Sequence, residues 1–140
     1  MPAKAFLDTN VLIYAFSESE PDKRATARRL WLLPETWIST QVLNETCNVL
    51  TRKFKLPFAE VAATLDQIVQ TLPVLTIDID IIRKALALAE QHPHSYFDAL
   101  MLAAAAHLGC ATLYSEDLQD GGLIQGVRII NPFKSANQTN

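Results

Sequence analysis

Four acidic residues of this 140-residue chain lie beside or within strongly apolar segments. They are Asp8, Glu45, Asp98 and Asp117. Carboxylates are rarely buried in proteins unless they are paired or bind a metal ion. Because apolar segments fold into the core, we expect the fold to gather these four carboxylates around a cation. Their hard oxygen atoms favour Mg²⁺ or Mn²⁺ over zinc.

Such a cluster suits the hydrolysis of a phosphodiester bond. This reaction requires neutralisation of the charge on the scissile phosphate and activation of a water molecule, and a Mg²⁺ or Mn²⁺ ion held by carboxylates supplies both. The histidines do not form a rival metal site. His92 and His94 flank a proline in a loop, and His107 with Cys110 offers only two ligands. The sequence also has no phosphate-binding glycine loop and no nucleophile elbow.

Each acid also has a simpler explanation. Asp8 or Asn10 can cap the helix that begins there. Asp98 stands three residues after a serine, which is the spacing of a capping box. Glu45 fits a solvated helix position, and Asp117 fits a turn. The joint occurrence of the four acids is what favours a shared site.

The pattern of apolar residues predicts an α/β fold. Short apolar strands alternate with longer amphipathic helices, which predicts a mostly parallel central sheet of about five strands with helices on both faces. We expect strands at residues 3–8, 37–40, 73–77, 111–115 and 127–130. We expect helices at residues 10–16, 23–33, 41–53, from Pro57 onward, 79–91 and 95–108.

This arrangement places the acids near one edge of the sheet. Active sites of parallel α/β sheets lie at the carboxyl ends of the strands. Asp8 and Asp117 fall where strands end, and we expect Glu45 and Asp98 in the first turns of their helices, close to those ends. Because clustered carboxylates repel one another, at least one of them should have a raised pKa in the metal-free protein.

The net charge of −3 gives the chain no general basic character. Basic residues nevertheless cluster, and Arg24 and Arg28 lie four apart on one predicted helix face, where they are candidates to bind successive phosphates. Lys23, Arg52 and Lys53 are further candidates. A solvated helix surface is the commoner role of such residues.

The sequence favours a single cytoplasmic domain with no membrane association. It contains no apolar stretch long enough to span a bilayer and no signal-peptide pattern. We expect the domain to cover residues 1–134, followed by a polar tail at residues 135–140.

The order and amino-acid sequences of five segments resemble those of a PIN-domain ribonuclease, and specifically the VapC-type toxin of a toxin–antitoxin pair. Each segment is short, but together they span nearly the whole chain in the same order. The segments are residues 6–12 (FLDTNVL), 41–45 (QVLNE), 96–105 (YFDALMLAAA), 113–118 (LYSEDL) and 127–133 (VRIINPF).

This resemblance implies a single PIN-like domain with metal-dependent endoribonuclease activity toward single-stranded or structured RNA. It also implies Mg²⁺ or Mn²⁺ as cofactor, a small antitoxin as partner, and a homodimer. The implied metal-binding and catalytic residues are Asp8, Glu45, Asp98 and Asp117, with Asn10 and Ser115 as polar helpers at the rim. The family more often has threonine where this chain has Ser115, a change that keeps the hydroxyl. The roles of Glu116 and Asp120 are left open.

One alternative is a non-enzymatic binding module whose acidic crevice grips a basic partner. Two other classes fit poorly. A haloacid-dehalogenase-type phosphatase requires a second aspartate where this chain has Asn10. A receiver domain requires an acidic pair after the first strand and a late lysine, and neither is evident in the sequence.

Overall fold

Six strands and six helices are present in residues 3–134, the part of the chain that the computed structural model describes. The predicted polar tail at residues 135–140 lies outside the described residues. In chain order the elements are β1 (Ala5–Leu7), α1 (Thr9–Tyr14), α2 (Pro21–Trp31), β2 (Thr36–Ser39), α3 (Thr40–Arg52), α4 (Phe58–Thr71), β3 (Val74–Leu75), α5 (Ile79–Gln91), α6 (Tyr96–His107), β4 (Thr112–Tyr114), β5 (Leu123–Ile124) and β6 (Val127–Ile130).

The strands form one sheet in the order β3-β2-β1-β4-β6-β5. All neighbouring strands are parallel except β5 and β6, which are antiparallel. The predicted mostly parallel α/β sheet is therefore confirmed, with β5 as an additional short strand. β5 pairs with β6 across a two-residue turn in which Gln125 and Gly126 have φ values of 53° and 80°. Two successive positive φ values are typical of the type I′ turn that joins tight hairpins.

The chain reverses its direction across the sheet between β1 and β4. β2 and β3 extend the sheet on one side of β1, and the chain then returns to place β4 on the other side. Because parallel crossovers are right-handed in about 98% of cases, this reversal puts the helices before and after β3 on opposite faces. Consistent with two helical layers, α1 packs on α2 and α3, whereas α5 packs chiefly on α6. Ligand crevices in such sheets open where the strand order reverses.

Strand β1 and helix α6 are strongly apolar because both lie in the hydrophobic core. Phe6 and Leu7 of β1 are fully buried, as expected for a central strand covered on both faces. α6 is buried from Ala99 to Ala105, and its small alanine side chains let it lie close to its neighbours. A helix that is apolar on all sides belongs in the interior, so α6 is a fixed support for the residues in its first turn. In the described residues, no helix has the length and apolar character that crossing a membrane requires.

Side-chain caps fix where several helices begin. Ser39 accepts a hydrogen bond from the N–H of Val42 at the start of α3, and Asp78 does the same for Ile81 in α5. Such caps satisfy N–H groups that have no partner inside the helix. α2 begins two residues before the predicted start, because Pro21 takes the first helical position, which suits proline.

Candidate active site

All four predicted site acids line one pocket of about 320 Å³ at the carboxyl ends of β1 and β4. Asp8 follows β1, Asp117 lies just after β4, and the other two acids come from α3 and α6. The structure thus brings together residues from four separate parts of the chain. The complete lining is Asp8, Thr9, Asn10, Glu45, Asn48, Val49, Phe97, Asp98, Met101 and Asp117.

Asp8 is the most buried of the four acids, with 6% of its surface exposed. Its backbone N–H donates to the carbonyl of Tyr114 at 3.0 Å, which ties the end of β1 to β4. Its Oδ1 accepts from the N–H of Thr9 at 2.7 Å, so Asp8 is also the N-cap of α1. Its Oδ2 accepts from the hydroxyl of Ser115 at 2.8 Å. Both carboxylate oxygens are therefore held in place.

The pKa of Asp8 is raised to about 6, chiefly because burial disfavours the charged form. The hydrogen bonds from Ser115 and Thr9 oppose this shift, and the negative charges of Glu45 and Asp117 add to it. A raised pKa was expected from repulsion between carboxylates. The structure gives burial as the larger cause and repulsion as the smaller one.

Glu45 lies in the second turn of α3, and not in the first turn as predicted. α3 begins at Thr40 under the Ser39 cap, so Glu45 is the sixth residue of a helix that has about 3.6 residues per turn. Its Oε1 accepts from the hydroxyl of Thr9 at 3.0 Å. Burial raises the pKa of Glu45, the hydrogen bonds from Thr9 and Gln41 lower it, and the charge of Asp98 raises it.

Asp98 lies in the first turn of α6, as predicted. The hydroxyl of Ser95 accepts from the backbone N–H of Asp98 at 3.2 Å, and so caps the helix. The carboxylate of Asp98 lines the pocket. Ser95 is the capping residue of α6, and the positive end of the helix dipole favours the carboxylate of Asp98 in this first turn.

The two predicted polar helpers each contact one of the acids. Asn10 of α1 donates through Nδ2 to Oδ2 of the exposed Asp117. Ser115 is fully buried, and besides donating to Asp8 it accepts from the N–H of Leu118 at 3.2 Å. Ser115 thus joins the turn that carries Asp117 to the most buried acid.

Glu116 and Asp120, whose roles the sequence left open, do not line the pocket. Glu116 accepts from the hydroxyl of Tyr14 at 2.8 Å and from Nζ of Lys23 at 2.5 Å. Partial burial raises its pKa, but these two donors outweigh burial and hold the pKa below its usual range. Asp120 accepts from the backbone N–H of Asn131 and from Lys134.

The predicted phosphate-binding arginines also lie outside the pocket lining. Arg28 donates through Nε to the carbonyl of Ala15 at 2.9 Å, at the end of α1. The ammonium group of Lys23 forms an ion pair with Glu116. A role for Arg24 and Arg28 in substrate binding stays a prediction.

Thr9, which is 5% exposed and forms hydrogen bonds with both Asp8 and Glu45, was not predicted from the sequence. Only the contact of Thr9 with Glu45, 36 residues away, identifies it as part of the site. The Tyr14–Lys23–Glu116 network was also not predicted, because it too depends on contacts between residues that are far apart in the sequence.

The chemistry of the pocket suits a divalent cation. Four carboxylates supply hard oxygen donors, and no lysine or arginine is among the lining residues in the described part of the chain. A nearly buried carboxylate without a cationic partner is unfavourable, so a bound cation would relieve the strain at Asp8. Within residues 3–134, however, no three acidic, histidine or cysteine side chains are already close enough to hold an ion. Binding would therefore require the side chains of these acids to move closer together.

The chain belongs to the PIN domain family, whose sequence profile matches residues 5–119. This confirms the family that the sequence motifs predict. A search of curated proteins by sequence gave no match.

Solved structures of similar fold come from toxin–antitoxin systems. One is a toxin–antitoxin complex from Klebsiella pneumoniae, with a TM-score of 0.72 and 23% identity, over 94% of this chain and 100% of that chain. The second is VapC20 of Mycobacterium tuberculosis, a toxin that cleaves the sarcin–ricin loop, with a TM-score of 0.68 and 24% identity, over 81% and 90% of the two chains. The third is VapBC2 of Rickettsia felis bound to a fragment of promoter DNA, with a TM-score of 0.65 and 17% identity, over 89% and 96%. At these identities the likeness establishes the fold.

Proposed function

We propose that this protein is a divalent-metal-dependent endoribonuclease and the toxin of a type II toxin–antitoxin system. The observation that carries the proposal is the pocket itself. Four carboxylates from separate parts of a PIN domain line it, with no lysine or arginine among its lining residues in the described chain. Such a pocket repels an RNA phosphate unless a cation is bound between them.

Asp8 is the best-fixed of the candidate ligands. Ser115 and Thr9 hold its two oxygens, so its side chain is restrained before any ion would bind. Glu45, Asp98 and Asp117 would complete the donor set. Asn10 donates to Asp117 and Thr9 donates to Glu45, so each of these two side chains limits the motion of one acid. A Mg²⁺ or Mn²⁺ ion at this place supplies charge neutralisation on the phosphate and a more acidic water molecule.

An antitoxin and a second copy of the chain are the proposed partners. Two of the structurally similar proteins are described as toxin–antitoxin assemblies, and one of these is bound to promoter DNA. An acidic pocket attracts a basic segment, since complementary charge favours association. A basic stretch of a small antitoxin that enters the pocket would block both cation and RNA. The predicted cytoplasmic location agrees with an RNA substrate.

A non-enzymatic binding module on the same fold is the second candidate. It is favoured by one observation: in the described residues the acids are not yet arranged to hold an ion. Such a module would bind a basic partner through the same pocket and would need no metal.

An RNA-cleavage assay with antitoxin-free protein separates the two candidates. We expect cleavage with Mg²⁺ or Mn²⁺, none with EDTA, and at least a 100-fold lower rate for Asp8→Asn, on the order of the loss expected when an electrostatic catalytic group is removed. Asp66→Asn is the matched control, because Asp66 is an exposed aspartate on α4 outside the pocket. Failure of the wild-type protein to cut RNA with either ion would overturn the nuclease proposal in favour of the binding module.

A further inference from the structure

The pocket has an apolar part beside its acidic part. Val49 of α3 lies four residues after Glu45, and Met101 of α6 lies three residues after Asp98. Each of these helices therefore places an acid in the pocket first and an apolar side chain about one turn, or about 5.4 Å, further along. Phe97 adds an aromatic ring to the same apolar part.

Phe97 is 55% exposed although it is a large apolar residue. The ring of Tyr96 packs against it in an edge-to-face arrangement, with centroids 5.4 Å apart and an interplanar angle of 64°. This contact restrains the ring of Phe97 while leaving much of it open to the pocket. Isolated exposed apolar residues are common and need no explanation. Phe97 differs because it adjoins Asp98 and lines the same pocket.

The residues of the described chain that line the pocket do not include a positively charged side chain, lysine or arginine, to hold the RNA backbone. The bases of a single-stranded RNA are the other part that a protein can hold, and they stack on exposed aromatic rings. A phosphate at the acids and its base at Phe97 would be separated by the ribose.

We infer that Phe97, supported by Val49 and Met101, is a stacking subsite for one unpaired nucleobase next to the bond that is cut. The inference rests on the proposed nuclease function. The pocket volume of about 320 Å³ is near the lower limit of small-ligand sites, which suits one nucleotide and not a duplex. A paired base would have to leave its stack to reach Phe97, so the substrate is RNA that is unpaired at the cleavage point.

Replacement of Phe97 tests the subsite. On a short single-stranded RNA, Phe97→Ala and Phe97→Leu should raise KM by about tenfold, with kcat changed much less, because stacking holds substrate and transition state alike. Phe97→Trp should keep or lower KM. Leucine preserves apolar volume without a flat ring, so it separates stacking from simple burial. Phe58→Ala is the matched control, because Phe58 is 83% exposed and does not line the pocket.

The second test uses an RNA substrate that has an abasic nucleotide beside the mapped cleavage point. The wild-type protein and Phe97→Ala should have equal KM for at least one such substrate, since the stacking partner is gone. A KM difference that persists with every abasic substrate, or Phe97→Ala with the wild-type KM on intact RNA, overturns the subsite. If Phe97→Ala weakens only the complex with an antitoxin, Phe97 is a protein contact and the inference is likewise wrong.

A binding measurement separates failure of this inference from failure of the proposed function. The double variant Asp8→Asn/Phe97→Trp should show fluorescence quenching on addition of single-stranded RNA, beyond that of Asp8→Asn, which retains Trp31 and Trp37. RNA binding without this added quenching contradicts the stacking subsite even if RNA is cut. If this quenching occurs but the wild-type protein never cuts RNA, base stacking at residue 97 is supported and the proposed nuclease function is contradicted.

Discussion

Lys23 and Glu116 form an ion pair of 2.5 Å between α2 and the turn that follows β4. The ammonium group of Lys23 also lies 4.7 Å from the centre of the Tyr14 ring, and the hydroxyl of Tyr14 donates to the same glutamate. Tyr14 stands four residues after Asn10 on α1, so one face of this helix binds both Glu116 and Asp117. The turn that carries Asp117 is thus fixed from two sides.

We expect Lys23→Met to lower the free energy of unfolding by about 1 kcal/mol, because the pair is partly buried and joined to Tyr14. RNA cleavage should fall several-fold as the turn loses its contact with α2. Lys84→Met is the control, since the Lys84–Asp80 pair is exposed and should contribute less than about 0.5 kcal/mol. Urea unfolding and cleavage rates measure both effects. Equal stability losses for the two variants would contradict the anchoring role of Lys23.

Metal-free protein should become less stable as the pH rises from about 4 to about 6. The reason is the raised pKa of Asp8, which moves from 3.8 to about 6 on folding, so the folded state binds the proton more tightly. The contribution of Asp8 is fully present below the lower value and lost above the higher one, and amounts to about 3 kcal/mol at most. Glu45 acts in the same direction, whereas Glu116 acts in the opposite one.

The difference between wild type and Asp8→Asn isolates this effect. Asparagine keeps an N-cap oxygen for Thr9, so the variant should be the more stable protein above pH 6 and should lose this advantage toward pH 4. Urea unfolding across this range provides the measurement. Parallel stability curves for the two proteins would show that Asp8 titrates normally.

Divalent ions should raise the melting temperature near neutral pH, because they bind the folded state preferentially. At 100 times the Kd the stabilisation is about 2.7 kcal/mol, equivalent to a rise of several degrees for a chain of this size. The rise should be smaller at pH 5, where Asp8 is mostly protonated, and smaller still in Asp8→Asn. Differential scanning fluorimetry with Mg²⁺ and Mn²⁺ measures it. The same rise with sodium chloride at matched ionic strength would indicate general screening instead.

Simultaneous reversal of Arg24 and Arg28 to glutamate should weaken RNA binding and flatten its dependence on salt, without a change in metal affinity. Two lost phosphate contacts reduce the slope of log K against log salt by about 1.4 for a single strand. Arg83→Glu/Lys84→Glu is the control, because it makes the same charge change on α5, in the other helical layer. Fluorescence anisotropy at several salt concentrations gives both slopes. If the two double variants behave alike, α2 is an ordinary solvated surface.

Local signals in the sequence were sufficient for several elements. Helix α5 has the predicted bounds, because Asp78 caps it and apolar residues recur at helical spacing. Strand β6 also has its predicted bounds. Strand β5 was missed because its two residues form a strand only by pairing with β6, through a turn whose glutamine rarely adopts a positive φ.

The parts of the candidate site that contain an unusual residue type could be predicted from the sequence. The parts that depend on a contact between distant residues could not. A carboxylate in an apolar segment is visible in the sequence, and all four such acids line the pocket. The partnership of Lys23 with Glu116 joins residues 93 positions apart and has no local signature.

The sheet ends on both sides in strands of only two residues, β3 and β5. A free strand edge exposes unpaired N–H and C=O groups on which a further strand can be added. Two residues offer too few such groups to template another chain. Self-association by extension of the sheet is therefore disfavoured at either edge, and a dimer of this protein is expected to form through other surfaces. The same feature protects the folded domain against edge-to-edge aggregation when it accumulates without a partner.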